Sequence, residues 1–194
     1  MLINRCMRLF IQLSFMIILL GCSAKQIDFN HSEEYSENKR TLESTLIINE
    51  YSPKSNILNE FDEEADWIEL FNTSDSALEI QADTWSLSDN KNVSDKYFIP
   101  ACTIVGNGHL VIWCDKRNLN ERDFHSNFKL SGNGEQICLF KNGSLVDQII
   151  FEDDVKKKVS YGRTNDGDET WTLFKSPSPG SSNQSTDNYA ETIK

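Results

Sequence analysis

Basic charge is what this sequence has least of. Nineteen Lys and Arg stand against 30 Asp and Glu, for a formal net charge of −11. Generic nucleic-acid binding needs Lys and Arg to displace phosphate counterions, so no nucleic-acid partner is expected. The single basic run, Lys156-Lys157-Lys158, follows Glu152, Asp153 and Asp154 and reads as a solvated turn. That leaves no polybasic patch for anionic lipid. No CxxC pair exists, which excludes zinc ribbons and thioredoxin-like redox sites. HExxH and His-x-His are absent, as are the spaced acidic residues of an EF-hand and the G-x-S-x-G of a nucleophile elbow. No window sustains a 3.6-residue apolar period over three turns, so long helices are not expected. Nothing in the sequence calls for a cofactor.

What is present begins with a basic, acid-free start. Arg5 and Arg8 precede an almost unbroken apolar run from Leu9 to Leu20, too short to span a bilayer, which takes about 20 residues. The run ends in Leu19-Leu20-Gly21-Cys22, which resembles a bacterial lipoprotein signal. The resemblance implies cleavage between Gly21 and Cys22 and a diacylglyceryl thioether on Cys22, so residues 1–21 are expected to be a signal peptide. Their removal takes two arginines and no acid, and the mature chain becomes more acidic still. By the retention rule of double-membraned bacteria, Ser23 after the lipid cysteine favours the outer membrane. In a single-membraned cell the protein would be anchored to the cell membrane, facing outward.

Residues 22–44 are polar and without apolar periodicity, which is the composition of a disordered tether. A disordered tail is likewise expected over 184–194. Of five cysteines, Cys6 leaves with the signal and Cys22 is lipidated. Cys102, Cys114 and Cys138 remain. Cys114 ends LVIWC and Cys138 sits in QICLF, so buried thiols are preferred over a disulfide between those two.

From 45 to 183 the texture changes to short apolar runs between turn signals. The runs are LIIN (46–49), WIELF (67–71), ALEI (77–80), WSLS (85–88), YFI (97–99), HLVIW (109–113), FKL (128–130), QICLF (136–140), LVDQIIF (145–151) and VSYG (159–162). NTSDS, SDNKN, VGNG, SGNG, KNGS and NDGD separate them as loops. Asn142-Gly143 is the strongest hairpin signal. This is the pattern of an all-β, antiparallel sandwich, and 45–183 is long enough for one core without disulfides.

Particular residues sharpen that expectation. Ile48-Asn49-Glu50, ADWIELFN (65–72), Trp85-Ser86-Leu87-Ser88-Asp89, and Gly108 to Trp113 form an ordered series. His125-Ser126-Asn127-Phe128-Lys129-Leu130-Ser131, Gly134-Glu135, Ser160-Tyr161-Gly162-Arg163 and Pro177-Ser178-Pro179-Gly180 complete it. Together they resemble the bacterial lamin-tail domain, related to the Ig-like tail of nuclear lamins. The resemblance implies an Ig-like β-sandwich on an exported protein, with no catalytic residues of its own. It makes Asn49, Glu50, Asp66, Trp67, Glu69, Asn72, His125, Asn127, Phe128, Gly134, Glu135, Tyr161, Gly162 and Arg163 motif residues with structural roles. The enzyme appended in many relatives is not expected here, and the Asn56–Ala65 loop departs from the pattern in its acidity.

Among candidate chemical groups, Asp66 and Glu69 share one predicted strand. Side chains alternate along a strand, so Trp67, Glu69 and Phe71 share one side, and Asp66, Ile68, Leu70 and Asn72 the other. The two carboxylates therefore cannot form an acid/base pair within it. Glu69, between aromatics, is expected to be buried and bonded to Arg163, His125 or backbone N–H groups. Asp66 is expected to accept loop amides. His125 is read as a hydrogen-bonded brace rather than a metal ligand. DEEAD (62–66) and NDGDE (165–169) read as solvated acidic loops rather than calcium sites.

The functional expectation is a non-catalytic, lipid-anchored envelope protein whose Ig-like domain binds a protein or glycan partner or serves surface architecture. The alternative is a small metal-binding or hydrolase-accessory protein using acidic loops with Glu50, Asp66 and His125. Convergence of those three in an open pocket would favour it.

Overall fold

Alternating apolar residues bounded by Gly, Asn and Asp turns produce strands throughout, and no helix occurs among the described residues. The computed structural model describes residues 39–40, 44–117, 124–153 and 155–183. The expected signal peptide, most of the expected tether and the expected C-terminal tail lie outside them.

Twelve strands are described: β1 (Lys39–Arg40), β2 (Leu46–Ser52), β3 (Asp66–Asn72), β4 (Leu78–Ile80), β5 (Trp85–Ser88), β6 (Tyr97–Phe98), β7 (Cys102–Ile104), β8 (His109–Cys114), β9 (Asn133–Lys141), β10 (Ser144–Asp153), β11 (Ser160–Arg163) and β12 (Trp171–Phe174). One sheet runs β1-β10-β9-β5-β6, the other β12-β11-β2-β3-β8, and β4 pairs with β7 in a separate ribbon. All these pairings are antiparallel. The fold is an Ig-like β-sandwich, and Ile48, Ile68, Leu70, Leu87, Ile112, Ile137, Leu139 and Ile149 lie in its apolar core.

Local chemistry sets the details. Asn142 and Gly143 both take positive φ, 50° and 74°, as a two-residue turn between β9 and β10 requires. A bulge between Ile48 and Glu50 in β2 shifts the side-chain phase. Leu46 and Ile48 therefore enter the core, and so does Tyr51, one residue out of strict alternation.

Several expectations need correction. Lys39 and Arg40, assigned to the tether, pair with Gln148 and Asp147 on β10, so ordered structure reaches into that segment. FKL is not a strand; only an isolated bridge joins Lys129 to Asp115. Asn133 and Gly134, read as part of a loop, open β9, with Gly134 at φ 88°. β7 and β12 were not expected. Cys102, Cys114 and Cys138 are free thiols. Burial drives the Cys114 thiol up and pushes Cys138 up to about 12, so neither is a ready thiolate.

Candidate functional site

β3 has the alternation the sequence predicts, with one difference: both faces are covered. Ile68 and Leu70 enter the core between the sheets, while Trp67, Glu69 and Phe71 lie on the opposite face and are also buried. The cover over Glu69 comes from the C-terminal segment 176–183, which runs as an irregular strap without strand pairing. The bulge in β2 places Glu50 directly opposite Glu69. Two carboxylates at paired positions repel, so other groups must hold this arrangement.

The strap supplies them. The Ser178 amide and hydroxyl donate to Glu50 Oε1 (3.2 Å) and Oε2 (2.9 Å), and Ser160 also bonds Glu50. The Gly180 amide donates to Glu69 Oε2 at 2.7 Å, and Asn49 Nδ2 donates to Oε1 at 3.0 Å. The Asn183 amide and Asn49 Nδ2 reach Asp166 Oδ1 at 2.9 and 2.8 Å. Asn183 Nδ2 donates to the carbonyls of Arg163 (2.8 Å) and Asn49 (3.3 Å). Gly162 makes room, because a Cβ there would lie 2.9 Å from Asn183 Nδ2, Glu50 Cγ and Phe174 Cε2 alike. Burial, reinforced by the nearby Glu50 and Asp166 charges, raises the Glu69 carboxyl to about 8. Burial likewise raises Glu50. Asp166 goes the other way: burial opposes ionisation, but the bonds from Asn183, Asn49 and Ser182 more than offset it.

A second network joins the sheets. Asp147 Oδ2 accepts the Ile48 amide at 2.8 Å, and Arg163 Nε donates to the Ile48 carbonyl at 2.7 Å. Arg163 Nη2 closes the triangle onto Asp147 Oδ2 at 3.1 Å. β11 meets β2 only at Tyr161–Tyr51 and Gly162–Glu50, so at Ile48 these side chains continue the interrupted ladder.

His125 belongs to a third network. Phe124 to Ser126 extends the edge of β8 through two backbone bonds with Trp113, of 2.8 and 2.7 Å. This holds His125 Nδ1 2.8 Å from Asp115 Oδ2 and Nε2 2.7 Å from Glu60 Oε1. Burial works against the imidazolium, yet the two carboxylates prevail and raise its pKa. Hydrogen-bonded through both ring nitrogens, His125 pins the 55–64 loop to the β8 edge, where the sequence suggested a brace for the loop before FKL.

The remaining motif residues have structural positions too. Asp66 is raised to about 7 by burial, against the pull of the Leu130 and Ser55 amides that it accepts. Trp67 Nε1 donates to Ser55 Oγ at 3.1 Å. Asn72 Nδ2 serves the carbonyls of Ser76, Ile104 and Val105. Asn127 Nδ2 donates to the Lys96 carbonyl at 2.5 Å, and Lys96 Nζ sits over the buried Phe128 ring. Glu135 accepts the Ser131 amide at 2.7 Å, and Tyr161 stacks on Tyr51.

Glu50, Asp66 and His125 thus belong to three different networks and do not converge. Among the described residues no three His, Cys, Asp or Glu side chains are grouped to hold a metal. Glu69 bonds neither Arg163 nor His125; its partners are Asn49 and the backbone of Gly180. Sequence reading missed Asp147 and Asn183, whose partners are far away along the chain, and it took Asp166 of NDGDE as part of a solvated acidic loop, whereas Asp166 accepts bonds from Asn49 and Asn183.

The lamin tail domain family model matches residues 40–153. The chain belongs to that family. A search of curated proteins found no match to it. The matched stretch contains β2 to β10, while β11, β12 and the strap lie beyond it. The strap that covers Glu50 and Glu69 is therefore supplied by residues outside the match. An Ig-like lamin-tail domain points to a binding or structural role rather than catalysis.

Proposed function

We propose that this protein is a non-catalytic, lipid-anchored envelope protein whose lamin-tail domain is a binding or architectural module. The observation that carries the reading is how the ionisable candidates are used. Glu50 and Glu69 hold the strap, Asp147 and Arg163 bridge the sheets, and His125 braces a loop between two carboxylates. A catalytic acid or base needs access to substrate, and these groups are committed to the fold. Contact with a protein or glycan partner is left to the loops and sheet edges.

The anchor in this reading is a diacylglyceryl group on Cys22 after removal of residues 1–21. It holds the domain at the outer membrane in a double-membraned cell or at the outward face of a single membrane. One lipid chain binds a bilayer only marginally, so stable attachment calls for the multiple chains such lipoproteins usually carry. Metabolic labelling with a fatty acid, followed by fractionation, tests this. Wild type should be labelled and membrane-bound, and Cys22→Ala neither. A labelled Cys22→Ala protein would overturn the anchor.

A further inference from the structure

The loop between β2 and β3 is fixed more firmly than its surface position requires. It folds back on itself, with Leu58 bridged to Glu64 and Asp62 at φ 58°. Buried Asn59 organises the turn: its Oδ1 accepts the Phe61 and Glu63 amides at 2.9 and 3.1 Å. Its Nδ2 donates to Asp115 Oδ2 at 3.3 Å, the same carboxylate that His125 joins to Glu60. Ser55 Oγ accepts the Ile57 amide and Trp67 Nε1, which ties the base of the loop to β3. None of residues 53–65 enters the apolar core, so this bracing does not serve packing between the sheets. What it fixes is the loop itself.

The fixed loop turns apolar surface outward. Leu58 is 53 % exposed and Phe61 45 %, two of the five large apolar side chains exposed among the described residues. A mobile loop could fold such side chains inward, but this one is bonded in place at Ser55, Asn59 and Glu60. The Phe61 ring is itself positioned, 5.3 Å from the His125 ring and 4.4 Å from the Arg117 guanidinium. Exposed apolar surface rimmed by polar groups marks an interaction site.

Charge selects what can cover it. Glu60, Asp62, Glu63 and Glu64 are all exposed beside the two apolar residues. Glu60 is engaged by His125 and Glu63 by Arg117. No partner is seen for the Asp62 or Glu64 carboxylate among the described residues. Four carboxylates disfavour an anionic bilayer and a phosphate backbone alike. A second copy of this chain offers its basic run at Lys156-Lys157-Lys158, which none of the exposed large apolar side chains adjoins in sequence. A polypeptide carrying apolar residues beside Lys or Arg meets both requirements.

We infer that the 55–64 loop is a docking surface for a partner protein, engaging a segment in which Lys or Arg flanks apolar side chains. Leu58 and Phe61 make the apolar contact, and Asp62 and Glu64 meet the cations. The inference rests on the reading of the domain as a binding module and names the surface and the chemistry of its partner.

The test uses the full chain in nonionic detergent, titrated with three short synthetic peptides and followed by fluorescence anisotropy and amide NMR. In the first peptide Lys flanks Leu and Phe; the second has Glu for each Lys, and the third Ser for each Leu and Phe. The first should bind at least about tenfold more tightly than either twin, shift amides in 56–64, and weaken as salt is raised. Leu58→Ser with Phe61→Ser should weaken it by about tenfold or more. Asp62→Asn with Glu64→Gln should weaken it less and flatten its salt dependence. None of these four side chains makes a hydrogen bond that holds the loop, so amide spectra outside 56–64 should match wild type. No response to the first peptide, equal binding of either twin, or unchanged binding by Leu58→Ser with Phe61→Ser would each overturn the inference. Shifts confined to other loops would overturn it too, while keeping the binding-module reading. Phosphatidylglycerol vesicles that shift the 56–64 amides, with no peptide response, would replace the protein partner with a membrane.

Discussion

The two faces of β3 solve burial in opposite ways. On the inner face Ile68 and Leu70 meet the other sheet through dispersion and the exclusion of water. On the outer face Glu69 is as fully buried, yet it is held by two directional bonds, from Asn49 and Gly180. An apolar contact tolerates small errors in position. A buried carboxyl tolerates none, because losing a partner leaves its desolvation cost uncompensated. The outer face therefore needs a dedicated strap, and the inner face needs only volume.

Substitutions can break this contrast in order of effect. Asp147→Ala removes a carboxylate that bonds the buried Arg163 guanidinium and the acceptor of the Ile48 amide. A loss of about 3–5 kcal/mol in urea denaturation is expected. Ile68→Ala opens a cavity on the apolar side, for about 2–5 kcal/mol by the same measurement. Gly162→Ala drives a methyl into Glu50, Asn183 and Phe174 and should cost about 1–3 kcal/mol, with faster proteolysis of the strap.

Glu69→Gln sharpens the comparison further. Both Glu69 oxygens lie against N–H donors, and the –NH2 of Gln, unlike the hydroxyl oxygen of the neutral carboxyl, cannot accept from one, so about 1–3 kcal/mol should be lost at pH 6. The wild-type carboxyl titrates at about 8 when folded, above its unfolded value near 4.3. Its contribution is complete below the unfolded value and fades as pH rises through 8. Wild type should thus lose stability between pH 5 and 9, and the Glu69→Gln deficit should shrink over the same range. His125, also raised, acts in the same direction. Asp166 is lowered, so its contribution changes only on acidification below its unfolded value and leaves this window alone. A deficit that grows with pH would contradict the buried-acid account. The smallest effect belongs to neither face: Glu79→Ala, at an exposed position of the β4–β7 ribbon, should stay within about 0.5 kcal/mol.

Legibility in the sequence followed the range of the interactions. The Asn142-Gly143 hairpin was readable because both its signals sit within four residues. The faces of β3 were readable because alternation is local. Trp171-Thr172-Leu173-Phe174 was missed as a strand, and Phe128-Lys129-Leu130 was mistaken for one. In each case pairing with a distant neighbour, not the residues themselves, decides the outcome. His125 was recognisable as a brace, whereas Asp115 and Glu60 could not be identified as what it braces.

Turn chemistry, alternation and the scarcity of basic charge determined by themselves an acidic, all-β sandwich, with Glu69 buried among aromatics. Those properties follow from φ preferences, a period of two and desolvation, which act residue by residue. Which groups satisfy Glu69, how Arg163 and Asp147 complete the ladder at Ile48, and where Glu50, Asp66 and His125 part company were decided only by the tertiary structure. Hydrogen-bond partners more than 100 residues apart, such as Glu69 and Gly180, leave no periodic trace in the chain. They meet because a buried carboxyl must be satisfied, and the folded backbone offers few donors able to reach it.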